Sequence, residues 1–457
     1  MTGAFRSFTD RDRERTEQSL GPRSEITLRI GDRVWFADED GDVREYTGVL
    51  LRRARTERFI ESGDFAQRPD RCVYRGRTLA GRRAAYAVDV AAENGETQTV
   101  YLDARTFLPD RVAYDDDDGR ATLDFFDWRT VAGRRFPFEV VASDGDRAFD
   151  TTQFTTSIDT AAQIDPAVFA PLVPRRIVMT APETVGLLSH EGHLYAPVRI
   201  GARNYTFLLD SGAQNVVLDK RVAQELGLAP VGAFEASGAT RTGGVQLAKL
   251  PALDIGAHGR LENLVVSTLD LRAATNGAFP IDGILGYPFF AAATVRIDPA
   301  AGTMTFGPPG SLAPLGERVA LETDRGIPEA NVRLNASVDA PFLIDTGNAA
   351  EVLLYKPFVD RHVGIVPFSQ TGRHSFGVGG SAASYRSSLD ELRIGDIPLY
   401  HAETDVMLAT SGAFADRFDA GNVGLGVLRN FVVTFDESSD ALYLTRGAAF
   451  DDGRARN

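Results

Sequence analysis

The sequence predicts a mainly β protein in which an N-terminal antiparallel sheet is followed by two similar β lobes. Two observations predict this fold. The first 172 residues contain short extended segments separated by turn residues, and the chain repeats itself from about residue 185 onward. Helical signals are brief and occur at matching places in the two repeats. The predicted divisions are an N-terminal β domain over 1–172, a linker over 173–184, a first lobe over 185–310 and a second lobe over 311–457.

Composition and charge restrict the possible functions. Of the 457 residues, 43% are hydrophobic and 25% are charged, which is typical of a globular protein. The formal net charge of −14 argues against nucleic acid as a main partner, because polyanions need a basic surface. Cys72 is the sole cysteine, which excludes an intrachain disulfide and a cysteine-rich metal site. No apolar run reaches the roughly 18 residues of a membrane helix, so no membrane span is expected.

Alternating apolar and polar residues predict the strands of the N-terminal part. Strand-like segments cover 85–90, 97–102, 120–128 and 136–141. The acidic run 115–118 falls at one of the intervening turns, and consecutive aspartates without alternating ligand spacing are typical of a solvated loop rather than a calcium site. Three prolines within 171–182 interrupt the alternation and indicate the linker.

Four landmarks recur at nearly constant spacing after residue 185. The segment 207–212, Phe-Leu-Leu-Asp-Ser-Gly, corresponds to 342–347, Phe-Leu-Ile-Asp-Thr-Gly. A Gly-Gly pair, a Gly-x-x-Gly and an apolar strand that ends in aspartate follow each of them in the same order. These are 243–244 with 379–380, 283–286 with 421–424, and 295–298 with 433–436. A shared apolar composition would not keep four landmarks in register, so the region is a duplication.

The two Asp-Ser/Thr-Gly tripeptides carry the predicted chemistry. Each aspartate ends an apolar strand, and the glycine permits a tight turn. Two such loops related by a pseudo-twofold axis would bring Asp210 and Asp345 together, where a shared proton relieves their repulsion. One carboxylate then takes a proton from a water while the other donates to a substrate carbonyl, without a metal or cofactor. A single Asp-x-Gly is usually only a turn, but two copies in matched repeats favour a catalytic pair.

These motifs resemble those of the retropepsin-like aspartic proteases, in the bacterial form that carries both lobes on one chain. The family motif is two apolar residues before Asp-Ser/Thr-Gly and a later apolar Gly-x-x-Gly strand that cradles the catalytic loop. The resemblance covers about residues 185–449. It implies a pair of pepsin-like or retropepsin-like β-barrels with the active site between the lobes. It also implies hydrolysis of peptide bonds, with Asp210 and Asp345 as the catalytic residues.

The resemblance assigns supporting roles to residues beside the two aspartates. Ser211 and Thr346 are expected to hydrogen-bond across the dyad and to hold its two loops together, with Gly212 and Gly347 in the same loops. Asn348 stands where alanine, serine or threonine is usual, and its amide is expected to bond the outer carboxylate oxygen.

The glycine-rich stretches 238–244 and 377–380 lie where the family has a hairpin flap over the substrate. Flexible glycine suits a lid that opens and then excludes water. Gly-Gly pairs alone are usually hairpin turns, so position supports the flap assignment, and neither stretch has the tyrosine of pepsin-like flaps. The flap candidates are Gly243, Gly244, Gly379 and Gly380.

Other candidate sites are weaker. His190-Glu191-Gly192-His193 precedes a strand rather than lying on a helix, so solvent-facing histidines are expected there. Ser189 has no nucleophile-elbow context. Neither a metal nor a cofactor is therefore expected.

Residues 20–172 resemble the LolA-like envelope fold, a curved antiparallel sheet that can hold an apolar ligand. The resemblance rests on segments such as 101–109 and 131–138. Such proteins usually begin with a signal peptide and a helix, and both are missing here. The sequence therefore favours an exported protein whose signal peptide has been removed, located in the periplasm or outside the cell.

Together these features predict an aspartic endopeptidase that acts on a protein or peptide of the bacterial envelope. A monomer is sufficient, because one chain supplies both aspartates. Two alternatives stay open. One is an inactive protein that keeps a peptide-binding groove, and the other is a lipid or lipoprotein carrier that uses the N-terminal sheet. Retention of both aspartates and both hydroxyl neighbours favours the peptidase, whereas an apolar cavity in the N-terminal sheet would favour the carrier.

Overall fold

The computed structural model describes residues 2–39, 41–116, 119–143, 150–173, 178–237, 242–274, 281–324, 326–369, 372–377, 380–448 and 450. In this part of the chain β-strands predominate, which confirms the predicted mainly β class. None of its helices is long and apolar enough to cross a membrane.

The first five strands form an antiparallel meander in chain order. They are β1 (Gly3–Asp10), β2 (Arg13–Leu20), β3 (Arg23–Ile30), β4 (Arg33–Ala37) and β5 (Val43–Glu45). The register runs from Gly3 opposite Leu20 to Trp35 opposite Glu45. Gly31 turns the chain between β3 and β4 with a φ of 59°, a left-handed conformation that glycine adopts easily.

Helix α1 (Gly48–Glu61) follows β5 and was not predicted from the sequence. Its apolar residues stand at its two ends, and the arginine-rich segment 52–58 between them lacks a helical hydrophobic period. Most of these residues are nevertheless good helix formers. The helix buries Val49 and Ile60.

A second antiparallel sheet of seven strands, also in chain order, follows the helix. Its strands are β6 (Cys72–Ala80), β7 (Arg83–Val90), β8 (Gln98–Asp103), β9 (Pro109–Asp116), β10 (Gly119–Val131), β11 (Arg134–Ser143) and β12 (Thr151–Phe154). Ile60 of α1 packs with Val90, Val100 and Val112 on one face of this sheet. The sequence predicted one curved sheet for the N-terminal part, whereas the strands form two sheets separated in sequence by α1.

The elements that follow build the first half of the duplication. They are β13 (Val178–Met179), β14 (Glu183–Gly186), β15 (Leu188–His190), β16 (His193–Ile200), β17 (Arg203–Leu209), β18 (Val217–Asp219), α2 (Lys220–Glu225), β19 (Pro230–Ser237), β20 (Thr242–Ile255), β21 (Gly259–Leu269), α3 (Leu271–Ala274), β22 (Gly283–Leu285), α4 (Tyr287–Ala292), β23 (Thr294–Asp298) and β24 (Thr303–Gly307). Asp219 caps α2, since its carboxylate accepts the Arg221 N–H at 2.9 Å. Two short strands, β13 and β14, lie in or overlap the segment predicted as a linker.

The second half of the duplication contains the same kinds of element. They are β25 (Glu317–Ala320), β26 (Glu322–Asp324), β27 (Ile327–Leu334), β28 (Val338–Asp345), β29 (Val352–Leu354), α5 (Lys356–Arg361), β30 (Gly372–Gly377), β31 (Gly380–Ile394), β32 (Ile397–Met407), β33 (Gly421–Gly424), α6 (Leu425–Leu428), β34 (Phe431–Asp436) and β35 (Ala441–Arg446).

The two halves repeat the same strand pairing. In the first, β17 runs parallel to β22, which pairs antiparallel with β18. In the second, β28 runs parallel to β33, which pairs antiparallel with β29. The hairpins β20–β21 and β31–β32 also correspond. This shared topology places Asp210 and Asp345 at equivalent strand ends.

Strands from both halves meet in one six-stranded sheet, in the order β14-β24-β23-β34-β35-β25. The central pair is antiparallel, with Val295 opposite Phe435. Phe290 of α4 contacts the Phe435 ring edge-on, with centroids 5.0 Å apart, and both side chains are fully buried. Hydrophobic packing on this sheet holds the two lobes together.

The N-terminal part contacts both halves of the duplication. The Arg44 guanidinium lies 5.8 Å from the centre of the Tyr287 ring, and that of Arg53 lies 6.0 Å from the Phe418 ring. Asp115, in the predicted acidic run, forms an ion pair with Arg417 at 3.9 Å. The last two aspartates of that run, 117 and 118, lie outside the described residues.

Candidate active site

Two largely buried strands carry the predicted catalytic aspartates. Asp210 follows β17 directly, and Asp345 is the last residue of β28. Strands β22 and β33 run alongside them in parallel. The side chains that anchor these strands are fully buried: Phe207, Leu209, Phe342 and Ile344. The apolar residues before each Asp-x-Gly therefore fix where its carboxyl group lies.

Ser211 and Thr346 interlock the two loops through four hydrogen bonds. The Ser211 N–H donates to Thr346 Oγ1, and the Thr346 N–H donates to Ser211 Oγ, both at 3.0 Å. Each hydroxyl then donates to a backbone carbonyl of the opposite strand, at 2.9 Å to Leu209 and 2.5 Å to Ile344. Both side chains are buried, so water does not compete for these bonds.

The two carboxyl groups face each other and interact directly. The Gly212 N–H donates to Asp210 Oδ1, and the Gly347 N–H donates to Asp345 Oδ1, both at 2.9 Å. A Cβ on Gly212 would lie 2.7 Å from Cγ of Asp345. Each glycine thus lies against the carboxyl group of the opposite loop and leaves no space for a side chain.

Burial perturbs the protonation of this pair. Burial, and then the negative charge of Asp345, raise the pKa of Asp210 well above its usual range. Burial also raises the pKa of Asp345 to about 6, although the N–H groups of Gly347 and Asn348 act against that rise. Two adjacent carboxyl groups titrate as a unit, so the first proton leaves the pair more readily than the second.

Asn422 contacts the dyad and was not predicted from the sequence. Its Nδ2 donates to Asp345 Oδ2 at 2.9 Å, and its Oδ1 accepts a hydrogen bond from Nδ2 of Asn348 at 2.6 Å. The expected bond from the Asn348 side chain to the carboxylate is therefore wrong, although the Asn348 backbone N–H does reach Asp345 Oδ1 at 3.1 Å. The available signal was an amide in the second Gly-x-x-Gly where the first has Ile284.

The flap candidates lie on the corresponding hairpins β19–β20 and β30–β31. Gly243 and Gly244 are in β20, and Gly380 begins β31 opposite Gly377. Gly379 lies outside the described residues. Closure of these hairpins over a substrate stays a prediction.

The segment 190–193 forms a hairpin tip in which His190 pairs with His193. Both histidines are half-buried rather than solvent-facing, and the His193 ring lies 6.4 Å from that of Tyr195. Among the described residues, no group of three histidine, cysteine or acidic side chains is arranged to hold a metal ion.

A family model described as aspartyl protease matches residues 196–289. The matched segment contains Asp210-Ser211-Gly212 and the Gly-x-x-Gly of 283–286, which are the dyad loop and the strand beside it. This match supports an aspartyl protease for the first lobe. A search of curated proteins finds no match.

Proposed function

We propose that the protein is an aspartic endopeptidase in which Asp210 and Asp345 activate a water to hydrolyse peptide bonds. The observation that carries the proposal is the close approach of two half-buried carboxyl groups, each delivered by an interlocked Asp-Ser/Thr-Gly loop. The family match of the first lobe supports the same chemistry.

The protons of the reaction balance within the dyad. The ionised carboxylate takes a proton from the water while the water oxygen bonds to the substrate carbonyl carbon. The protonated carboxyl group gives its proton to the carbonyl oxygen, which yields a tetrahedral diol. When the C–N bond breaks, the carboxyl group that took the proton from water gives it to the leaving amine. The diol returns a proton to the other carboxylate. The dyad regains its starting state.

The proposed substrate is a protein or peptide of the bacterial cell envelope, met in the periplasm or outside the cell. The likeness of the N-terminal segments to LolA-like envelope proteins supports this choice. One chain supplies both aspartates, so a monomer is sufficient for activity. A substrate chain would lie between the lobes, where the dyad is located.

A digest of a peptide library from about pH 3 to about pH 8 tests the proposal. A statine-type mimic of the diol should inhibit cleavage, because it occupies the place of the water and carbonyl. Below about pH 6, Asp345 becomes protonated and the dyad loses its base, so the rate should fall as the pH decreases. Cleavage that a serine-directed reagent blocks and statine does not would contradict the proposal.

The N-terminal sheet favours a second candidate function, the binding of an apolar ligand. Tyr74 and Phe107 are 62% and 64% exposed, and both contact the Tyr86 ring, with centroids 6.3 Å and 5.9 Å away. Tyr86 shares a face of β7 with Val90, and Ile60 of α1 packs with Val90. Tyr86 is half-buried between the two exposed rings, and the three rings form an aromatic row.

Binding of a long-chain fatty acid, measured by displacement of a fluorescent apolar dye, tests this candidate. Phe107→Asn removes one exposed ring and suits the positive φ of 57° at this position. We expect it to weaken binding about fivefold, in keeping with the loss of one buried aromatic contact. Val363→Ser, which removes an apolar side chain that is 91% exposed on the second lobe, is the matched control. Equal binding by both variants would rule out the aromatic row as the site.

A further inference from the structure

We propose that Asn422 is a positioning residue that makes Asp345 the ionised member of the dyad, and Asp210 the member that holds the proton. Asp345 would then be the base that takes the proton from water, and Asp210 the acid that protonates the substrate carbonyl. This inference rests on the proposed peptidase function and adds a division of labour that the two matching tripeptides do not contain.

A chain of hydrogen bonds fixes which end of the Asn422 amide faces the dyad. The Ala350 N–H donates to Asn348 Oδ1 at 3.0 Å, and a backbone N–H is always a donor. The Asn348 amide must then present its Nδ2 to Asn422, whose Oδ1 accepts at 2.6 Å. Nδ2 of Asn422 is left to point at Asp345 Oδ2. The amide therefore donates to the carboxylate.

This chain exists in one lobe only, although the backbones match. Strand β22 places Ile284 beside Leu208 and opposite Val217, while β33 places Asn422 beside Leu343 and opposite Leu353. Ile284 and Asn422 are therefore equivalent, and each is 2% exposed. Val217 comes seven residues after Asp210, but Leu353 comes eight after Asp345, so the second loop is one residue longer. The apolar Ile284 cannot donate a hydrogen bond to Asp210.

The donors around the two carboxyl groups differ accordingly. Asp345 accepts from the backbone N–H groups of Gly347 and Asn348 and from the Asn422 amide. Asp210 accepts from the Gly212 N–H, with a further backbone contribution from Ala213. Hydrogen bonds to a carboxylate stabilise its charged form, so the group with the additional side-chain donor is the one that stays ionised.

Within the described ranges, the charged groups near this site do not provide an alternative cause. Asp210 is the titratable group that faces Asp345 directly, and the interaction between the two carboxyl groups acts on both of them. Next to α6, the Arg429 guanidinium lies against the second loop but donates to the Ala349 carbonyl, at 3.4 Å. The neutral amide of Asn422 is thus the side chain that distinguishes the two carboxyl groups.

The test is the pH dependence of kcat/KM for peptide cleavage in matched variants. Asn422→Leu copies the apolar side chain of the first lobe and removes the donor to Asp345. We expect the acidic limb of the profile to move up by about one pH unit, which corresponds to the loss of one charge-assisted hydrogen bond. Asn348→Ala keeps Asn422 but frees its amide, so it should shift the same limb by less. It also serves if Asn422→Leu folds poorly.

Ile284→Asn is the mirror-image control, because it adds an amide beside Asp210. It should move the basic limb of the pH profile to lower pH and leave the acidic limb in place, because the added amide favours the second ionisation of the pair. A purely structural role for Asn422 would reduce the rate at every pH without moving either limb, and that result would overturn the inference. Loss of cleavage in Asp345→Asn alongside an unshifted Asn422→Leu would retain the peptidase and reject only the role of Asn422.

Discussion

Replacing Asp210 or Asp345 by asparagine is expected to reduce peptide cleavage at least about 1,000-fold. Asparagine has nearly the same shape as aspartate, and its amide can still accept the N–H of Gly212 or Gly347. It can neither take a proton from water as a carboxylate does nor hold the acidic proton that the carbonyl receives. The variants should therefore fold but lack catalysis, which the rate of cleavage of an unstructured protein measures.

The matched control is Asp339→Asn. Asp339 lies in the second lobe, and its exposed carboxylate pairs with Arg333 at 2.7 Å. Exposed ion pairs contribute little to stability, and this one lies outside the dyad. Its cleavage rate should equal that of the unchanged protein. Residual activity above about one tenth in either dyad variant would defeat the assignment of Asp210 and Asp345.

Alanine at Gly212 or Gly347 is expected to reduce cleavage about 100-fold, because the new methyl group forces the carboxyl groups apart. The added Cβ at Gly212 would lie 2.7 Å from Cγ of Asp345, and the one at Gly347 would lie 2.6 Å from Oδ2 of Asp210. Ordinary contact requires a displacement of nearly 1 Å, and a misplacement of that size costs a rate of this order. The kcat should fall by a larger factor than the factor by which KM changes.

Gly186→Ala provides the comparison, since a Cβ at this position in β14 meets nothing within 4 Å. It introduces the same methyl group into a nearby strand of the same protein. Thermal unfolding of all three variants separates loss of the fold from loss of dyad geometry. Full activity in Gly347→Ala, with a normal unfolding temperature, would show that the carboxyl groups are not held as closely as the structure places them.

The sequence located the candidate site because the chemistry there is local. Each Asp-Ser/Thr-Gly contains the carboxyl group, the interlocking hydroxyl and the glycine within three residues. The repeat added the information that Asp210 and Asp345 are equivalent. The groups themselves can therefore be recognised without knowledge of the whole fold, although their contacts join the two loops.

Features that depend on distant residues were not predictable in the same way. The likeness of Val295–Asp298 to Val433–Asp436 is visible in the sequence, but the pairing of Val295 with Phe435 in one sheet is not. Helix α1 was not predicted either, because its helical propensity is spread over arginines instead of an apolar stripe. Tertiary packing decides both features.

Asn422 shows a different limit. Within its own motif, Gly421 to Gly424, it is a polar residue in an otherwise apolar strand. Its role becomes visible only when β33 passes beside Asp345 and when the longer second loop brings Asn348 to its other side. Departure of one repeat from the other was the only local sign of that role.

The six-stranded sheet shared by the lobes also determines when activity can arise during synthesis. Strand β23 reaches the middle of that sheet only after β34 has been made, more than a hundred residues later. A nascent chain that has left the ribosome as far as β24 possesses Asp210 but neither Asp345 nor the strands that bring the lobes together. Such an unfinished chain has no proton-sharing pair. Under the proposed function, the dyad of a single chain can therefore form only late in translation, after both lobes have been made.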